Sequence, residues 1–165
     1  MKNRTQVGAV TGGVIALAMA SAWLSTAAQA GQVGTQPDLV TSQSEFDAEY
    51  AAALDRLPFA FPSSETGSDP SKAPDLGEAF AEPGVAENEA NLSWLCSWEG
   101  EYLMAQQSGE KARSEVALSM IGQWPTLPWV ADHFLDPDHG WNHDVLDPAR
   151  AGDSAGIARD FHNCR

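Results

Sequence analysis

Three groups of residues in this chain have the types and spacing to do chemistry. The first is "FLDPDHGWNHDVLD", residues 134–147. Asp and His fill five of the nine positions from Asp136 to Asp144. Counted from Asp136, the oxygen-bearing residues Asp136, Asp138, Asn142, Asp144 and Asp147 fall at loop positions 1, 3, 7, 9 and 12, close to a calcium ladder. The ladder breaks where its geometry is strict. Position 5 is Gly140, with no side-chain oxygen, and position 6 is Trp141 where the sharp turn requires Gly. Calcium is therefore disfavoured.

Zinc is the other metal chemistry to weigh. His139 and His143 are four residues apart, and His133 lies six residues before His139. Together with Asp138 they are ligands of the right type. An i, i+4 pair converges only on a helix, however, and Asp136-Pro137 with Gly140 reads as a turn in which Gly140 takes a positive φ. No H-E-x-x-H is present. The favoured expectation is surface histidines on a loop, with no cofactor. A divalent metal at His133, Asp138, His139 and His143 is the class left open.

The second group is a single carboxylate. Glu99 lies inside the apolar stripe Leu92, Leu95, Cys96, Tyr102 and Leu103 on a helical wheel. Desolvation there would raise its pKa and make it a candidate general acid. The favoured alternative is a buried Glu paired with an Arg, a His or an indole N–H, with Arg159 on the last helix as a candidate. The third group is Cys96 and Cys164, the two cysteines of the chain. In an oxidising compartment an even pair reads as one disulfide. The loop closed would be about 69 residues, for which chain entropy predicts about 4 kcal/mol of stabilisation. Nothing resembles a nucleophile elbow, a P-loop, a dinucleotide fingerprint or a lone Cys with a His partner.

These groups need elements to position them. "SEFDAEYAAALDRLP" predicts an amphipathic helix over 44–58, capped by Ser44, with Phe46, Tyr50, Ala53, Leu54 and Leu57 on one face. Residues 59–85 are rich in Pro, Ser, Gly and acid and read as a long surface linker, tacked down by Phe59, Phe61, Leu76 and Phe80. Residues 86–165 form the expected helical core. A central helix runs from about Ala86 to Gln107 with apolar residues on two faces, including Trp94, Trp98 and Ala105. A turn at Ser108-Gly109 leads into a second helix to about Trp124, burying Val116, Ala117, Met120 and Ile121. A last helix capped by Asp153 or Ser154 puts Ile157, Ala158, Phe161 and Cys164 on one face. Both thiols then point inward. The tryptophans from Trp94 to Trp141 read as packing rather than as a sugar platform. The fold class is mainly α: a small helical domain with a central αα-hairpin and short helices, stapled by one disulfide and carrying an irregular acidic linker.

Residues 1–30 have a basic start (Lys2, Arg4), an apolar run over 7–24 and a small-x-small end, Ala28-Gln29-Ala30. This predicts a signal peptide cut between Ala30 and Gly31, with an uncleaved membrane anchor as the alternative. Residues 31–43 read as a flexible lead-in. The leader holds two of the nine basic residues and none of the 23 acidic ones, so its removal takes the charge from −14 to −16. Such a surface disfavours nucleic acid and anionic lipid; the favoured reading is that acidity keeps an exported protein soluble, with a cationic partner or a divalent ion as the alternative. The leader and the Ala- and Asp-rich style look like an exported bacterial protein, secreted or at the cell surface. The expected function is a non-catalytic interaction or accessory domain outside the membrane. Its partner would be an extracytoplasmic protein or cell-envelope component, with membrane contact only through an uncleaved N-terminal segment. The alternative is a small metal-dependent or carboxylate-based hydrolase built on Glu99 and the histidines.

Overall fold

The computed structural model describes residues 42–63 and 71–164. The leader, the Ala30–Gly31 bond and most of the 31–43 lead-in lie outside the described residues. No helix among the described residues is long and apolar enough to cross a membrane.

The described chain is mainly helical, and no strand forms among its described residues. Helix α1 spans Gln43–Arg56. Its cap is Ser42, two residues earlier than expected. Ser42 Oγ accepts from the Glu45 amide, and the Glu45 carboxylate accepts from the Ser42 amide at 2.8 Å, a reciprocal capping box. A cap at Ser44 would place Asp47 at N3, but Asp47 instead accepts from Gln43 at 2.7 Å. Pro58 follows the end of α1, as the sequence predicts.

Helix α2, Val85–Gln107, is the central element. It is apolar on two faces because it has neighbours on both. Its N-terminal half presents Ala86 and Ala90 to Phe46, Tyr50 and Ala53 of α1, forming one core cluster. The small alanines let the aromatic rings of α1 lie close to the α2 backbone. Its C-terminal half carries Trp94, Leu95, Trp98 and Tyr102 into a second, larger cluster. Gly109 takes φ +70° after α2, the left-handed position that an L side chain disfavours. The chain then reverses into α3, Lys111–Ile121.

The αα-hairpin is locked by polar contacts as well as apolar ones. Arg113 of α3 makes a bidentate pair with Glu101, a buried residue of α2. Gln106 donates to Ser114 Oγ at 2.7 Å. Consequently α3 buries Ser114, Ala117 and Ile121, while Val116, expected inside, is 58 % exposed. Polar anchoring rotated the helix away from its most apolar face.

Short pieces follow: a 3₁₀ turn at Trp124–Thr126, α4 at Pro128–His133, a π-helical segment at Asn142–Leu146 running into α5 at Asp147–Arg150, and α6 at Ala155–Phe161. Gly156, rather than Ala158, is the small buried residue of α6. A Cβ at Gly156 would meet the Asp144 carbonyl oxygen at 2.5 Å and Val145 Cα at 2.9 Å. Helix α6 therefore packs backbone to backbone on the π segment. Cys96 and Cys164 form the expected disulfide, with Cα atoms 5.8 Å apart across 68 residues of sequence.

The described parts of 59–85 are more anchored than their composition predicts. The indole N–H groups of Trp94 and Trp98 both donate to the Ala60 carbonyl, at 3.0 and 3.1 Å. Phe59 and Phe61 pack on the larger cluster and Leu76 on the smaller, whereas Phe80 is 73 % exposed. Gln43 also holds the returning segment, accepting from the Leu76 amide at 2.7 Å and donating to the Pro74 carbonyl.

Candidate functional site

The most unusual chemistry in the fold lies where α2 meets the end of α6. Cys96 is on α2, and Glu99 follows one turn later on the same face. Cys164 follows α6, and Asp160 precedes it by four residues. Joining the two sulfurs brings the neighbours of each into one small space. Glu99 is fully buried, with Oε2 3.7 Å from Cys164 Sγ. A disulfide sulfur carries no hydrogen, so a protonated Glu99 is the partner able to donate. Its Oε1 has no hydrogen-bond partner. Burial, and then the adjacent Asp160 carboxylate, push the Glu99 carboxyl up to about 9. Asp160 is itself held from the other side, accepting from the Trp141 indole N–H at 2.9 Å.

Arg159, the expected cation for Glu99, is exposed instead. Helix α6 turns Asp160, not its neighbour, toward α2. Sequence reasoning overlooked Asp160, although the signal was present. Once Cys96 is joined to Cys164, the residue one turn along α2 and the residue one turn back from Cys164 must face each other.

Cys96, Glu99 and Cys164 have ligand atoms within 4.8 Å of one another, the kind of trio that can hold a cation. With the sulfurs bonded to each other there is no thiolate to ligate a metal, and the trio does not fit one in this state. Among the described residues no such group includes a histidine. His133, His139 and His143 are exposed, whereas Glu99 is not. The structure does not bring them together with Glu99.

The 134–147 stretch is organised by capping. Both Asp136 oxygens accept backbone amides, from Gly140 at 2.7 Å and from Trp141 at 3.1 Å. They thereby start the helical run that becomes the π segment. The positive φ falls on His139 (54°), not on Gly140 as expected. The Asp136 cap sets the turn one residue earlier. Asp147 is engaged by Arg150 at 3.2 Å and lies 3.6 Å from His143 Nδ1. Asp138 and His139 are exposed. Trp141 folds inward against Trp124, with ring centroids 5.2 Å apart.

A second feature is an open cleft of about 390 Å³ between α1, α2 and α4. Ala53, Leu57, Pro58 and Pro128 give it an apolar wall. Asn91 is buried at its base, donating to the Glu87 carbonyl at 2.7 Å. Arg56 is neutralised by Glu87 at 3.0 Å. On the facing side the Trp129 and His133 rings stack 4.5 Å apart, and Asp132 makes no ion pair among the described residues. The cleft therefore offers apolar surface, a ring pair and one uncompensated carboxylate. Compared with known proteins, the chain matches no family model, no curated protein and no solved structure.

Proposed function

We propose that this chain is an interaction or accessory domain acting outside the membrane, without catalysis of its own. We further propose that it receives a cationic segment of a partner in the cleft between α1, α2 and α4. The observation that carries the reading is the composition of that cleft. Arg56 and Glu87 cancel, which leaves Asp132 beside an apolar wall and the Trp129 ring. A basic side chain with its alkyl stem suits such a surface, because the stem covers apolar area while the charge meets the carboxylate. The net charge of −14 favours the same partner at long range. The leader-like residues 1–30 and the Cys96–Cys164 staple support an oxidising location. The hydrolase alternative needs Glu99 and the histidines in one pocket, and the separation of a buried Glu99 from exposed histidines argues against it.

Titration with lysine- and arginine-rich peptides, followed by tryptophan fluorescence, tests the reading. Saturable binding that weakens with salt and is lost in Asp132→Lys is the expected result. Absence of saturable binding, or binding indifferent to Asp132→Lys, overturns it. Melting with and without a chelator tests the alternative: an unchanged midpoint and no metal in the purified protein are expected, and bound metal with a chelator-lowered midpoint would restore it.

A further inference from the structure

The cleft leaves unexplained why a fully buried carboxyl is placed against the disulfide. As a purely structural choice it is poor. A leucine at 99 would fill the same space without the cost of burying an acid. The acid touches one reactive group, Cys164 Sγ, and its charged neighbour is Asp160. Asp160 already accepts from Trp141, so its position is held independently of Glu99. Cys96 and Cys164 are both partly exposed residues, whereas Glu99 beside them is buried.

We propose that Cys96–Cys164 is an exchange-competent disulfide: a thiolate from a dithiol reductant or partner protein attacks Cys96 Sγ while Glu99 protonates the departing Cys164 sulfur. In this step the incoming sulfur bonds to Cys96 Sγ and the Cys96–Cys164 bond breaks. Its electron pair leaves on Cys164 Sγ, and the Glu99 proton moves to that sulfur. One negative charge enters on the attacking thiolate and one remains on the Glu99 carboxylate. In reverse, the Glu99 carboxylate takes the Cys164 thiol proton as Cys164 attacks the mixed disulfide and closes the staple. The direction follows from geometry, since Glu99 Oε2 touches Cys164 Sγ and a leaving thiolate is what a proton stabilises. An acid held at about 9 is well matched to a thiol of ordinary pKa about 8.5, so the proton passes either way with little driving force lost. The charged group that acts on Glu99 is Asp160 from α6, and Tyr102 lies one turn along α2. Burial raises the Tyr102 hydroxyl, against a smaller lowering from Gln106. The inference goes beyond the cleft reading: a partner drawn to the domain could also be joined to it covalently.

The test is the rate of opening of the oxidised full chain by glutathione, from about pH 6 to 10, with iodoacetamide trapping and mass mapping. Wild type is compared with Glu99→Gln, which keeps the shape and loses the acid. The expected result is opening at least about tenfold slower in Glu99→Gln at neutral pH, with the gap closing above about pH 9, where wild-type Glu99 has lost its proton. Glutathione should map to Cys96 and the alkyl group to Cys164. The two proteins should open at equal rates in denaturant. Equal rates in the folded state, a gap that persists unchanged above pH 9, or glutathione mapped to Cys164 would each overturn the proposal. Should Glu99→Gln not fold, Asp160→Asn serves instead. Removing that charge is expected to lower the pH at which opening loses its acid assistance, and an unshifted profile counts against the proposal.

Discussion

Glu99→Gln also carries a stability prediction that does not depend on exchange. In the folded state Glu99 holds its proton up to about 9, against an ordinary value of 4.5 in the unfolded chain. Between these values the unfolded state releases a proton that the folded state keeps. The sign follows from linkage: the contribution of Glu99 to stability is fully present below about 4.5 and is lost as pH rises toward about 9. The slope is about 1.4 kcal/mol per pH unit, so from about pH 5 to 8 the wild type loses on the order of 4 kcal/mol from this one group. That is a large share of the roughly 5–15 kcal/mol available to a domain of this size. Gln does not titrate. Other titrating groups are common to both proteins and largely cancel in the difference. The assay is guanidinium unfolding of the oxidised proteins at about pH 5, 6.5 and 8. Glu99→Gln should gain on wild type steadily as pH rises, and Asp160→Asn should flatten the wild-type slope by removing the second cause of the shift. A difference constant within about 1 kcal/mol across that range would show that Glu99 is ionised in the folded protein, and the reasoning about its burial would fail.

Three further outcomes can be measured by the same unfolding assay. Replacing both cysteines with Ser should cost about 4 kcal/mol, because the staple closes a 68-residue separation and its loss frees the unfolded chain. Gly156→Ala should destabilise by about 1–3 kcal/mol even though Ala is the better helix former, since its Cβ would enter the Asp144 and Val145 backbone; a stabilised variant would show that α6 packs less closely. Arg113→Met should destabilise the fold by removing the bidentate pair that ties α3 to the buried Glu101 of α2, with Glu101→Gln in the same background restoring part of the loss.

Helical spacing and local turn chemistry were legible in the chain alone. The helical periods expected over 44–58 and about 86–107, the Gly109 reversal, the helix-ending Pro58 and the pairing of the two cysteines follow from side-chain periodicity and backbone preference. Such interactions span a few residues, so the sequence carries them directly. The same holds for Glu99, whose place in an apolar stripe marked it as unusual. Contacts across long separations were decided by the tertiary structure. Ala60 is fastened by two indoles from α2 because a single carbonyl happens to end within reach of both. Val116 faces outward because Glu101 and Ser114 fix the rotation of α3. Which residue of α6 meets Glu99 depends on how closely Gly156 lets that helix approach the π segment. A charge on a helical wheel has many candidate partners, and only packing selects one. Here it selected Asp160 in place of a cation. Periodicity could place a carboxyl inside the fold, but only the meeting of α2 with the end of α6 decided that it would stay protonated beside a disulfide.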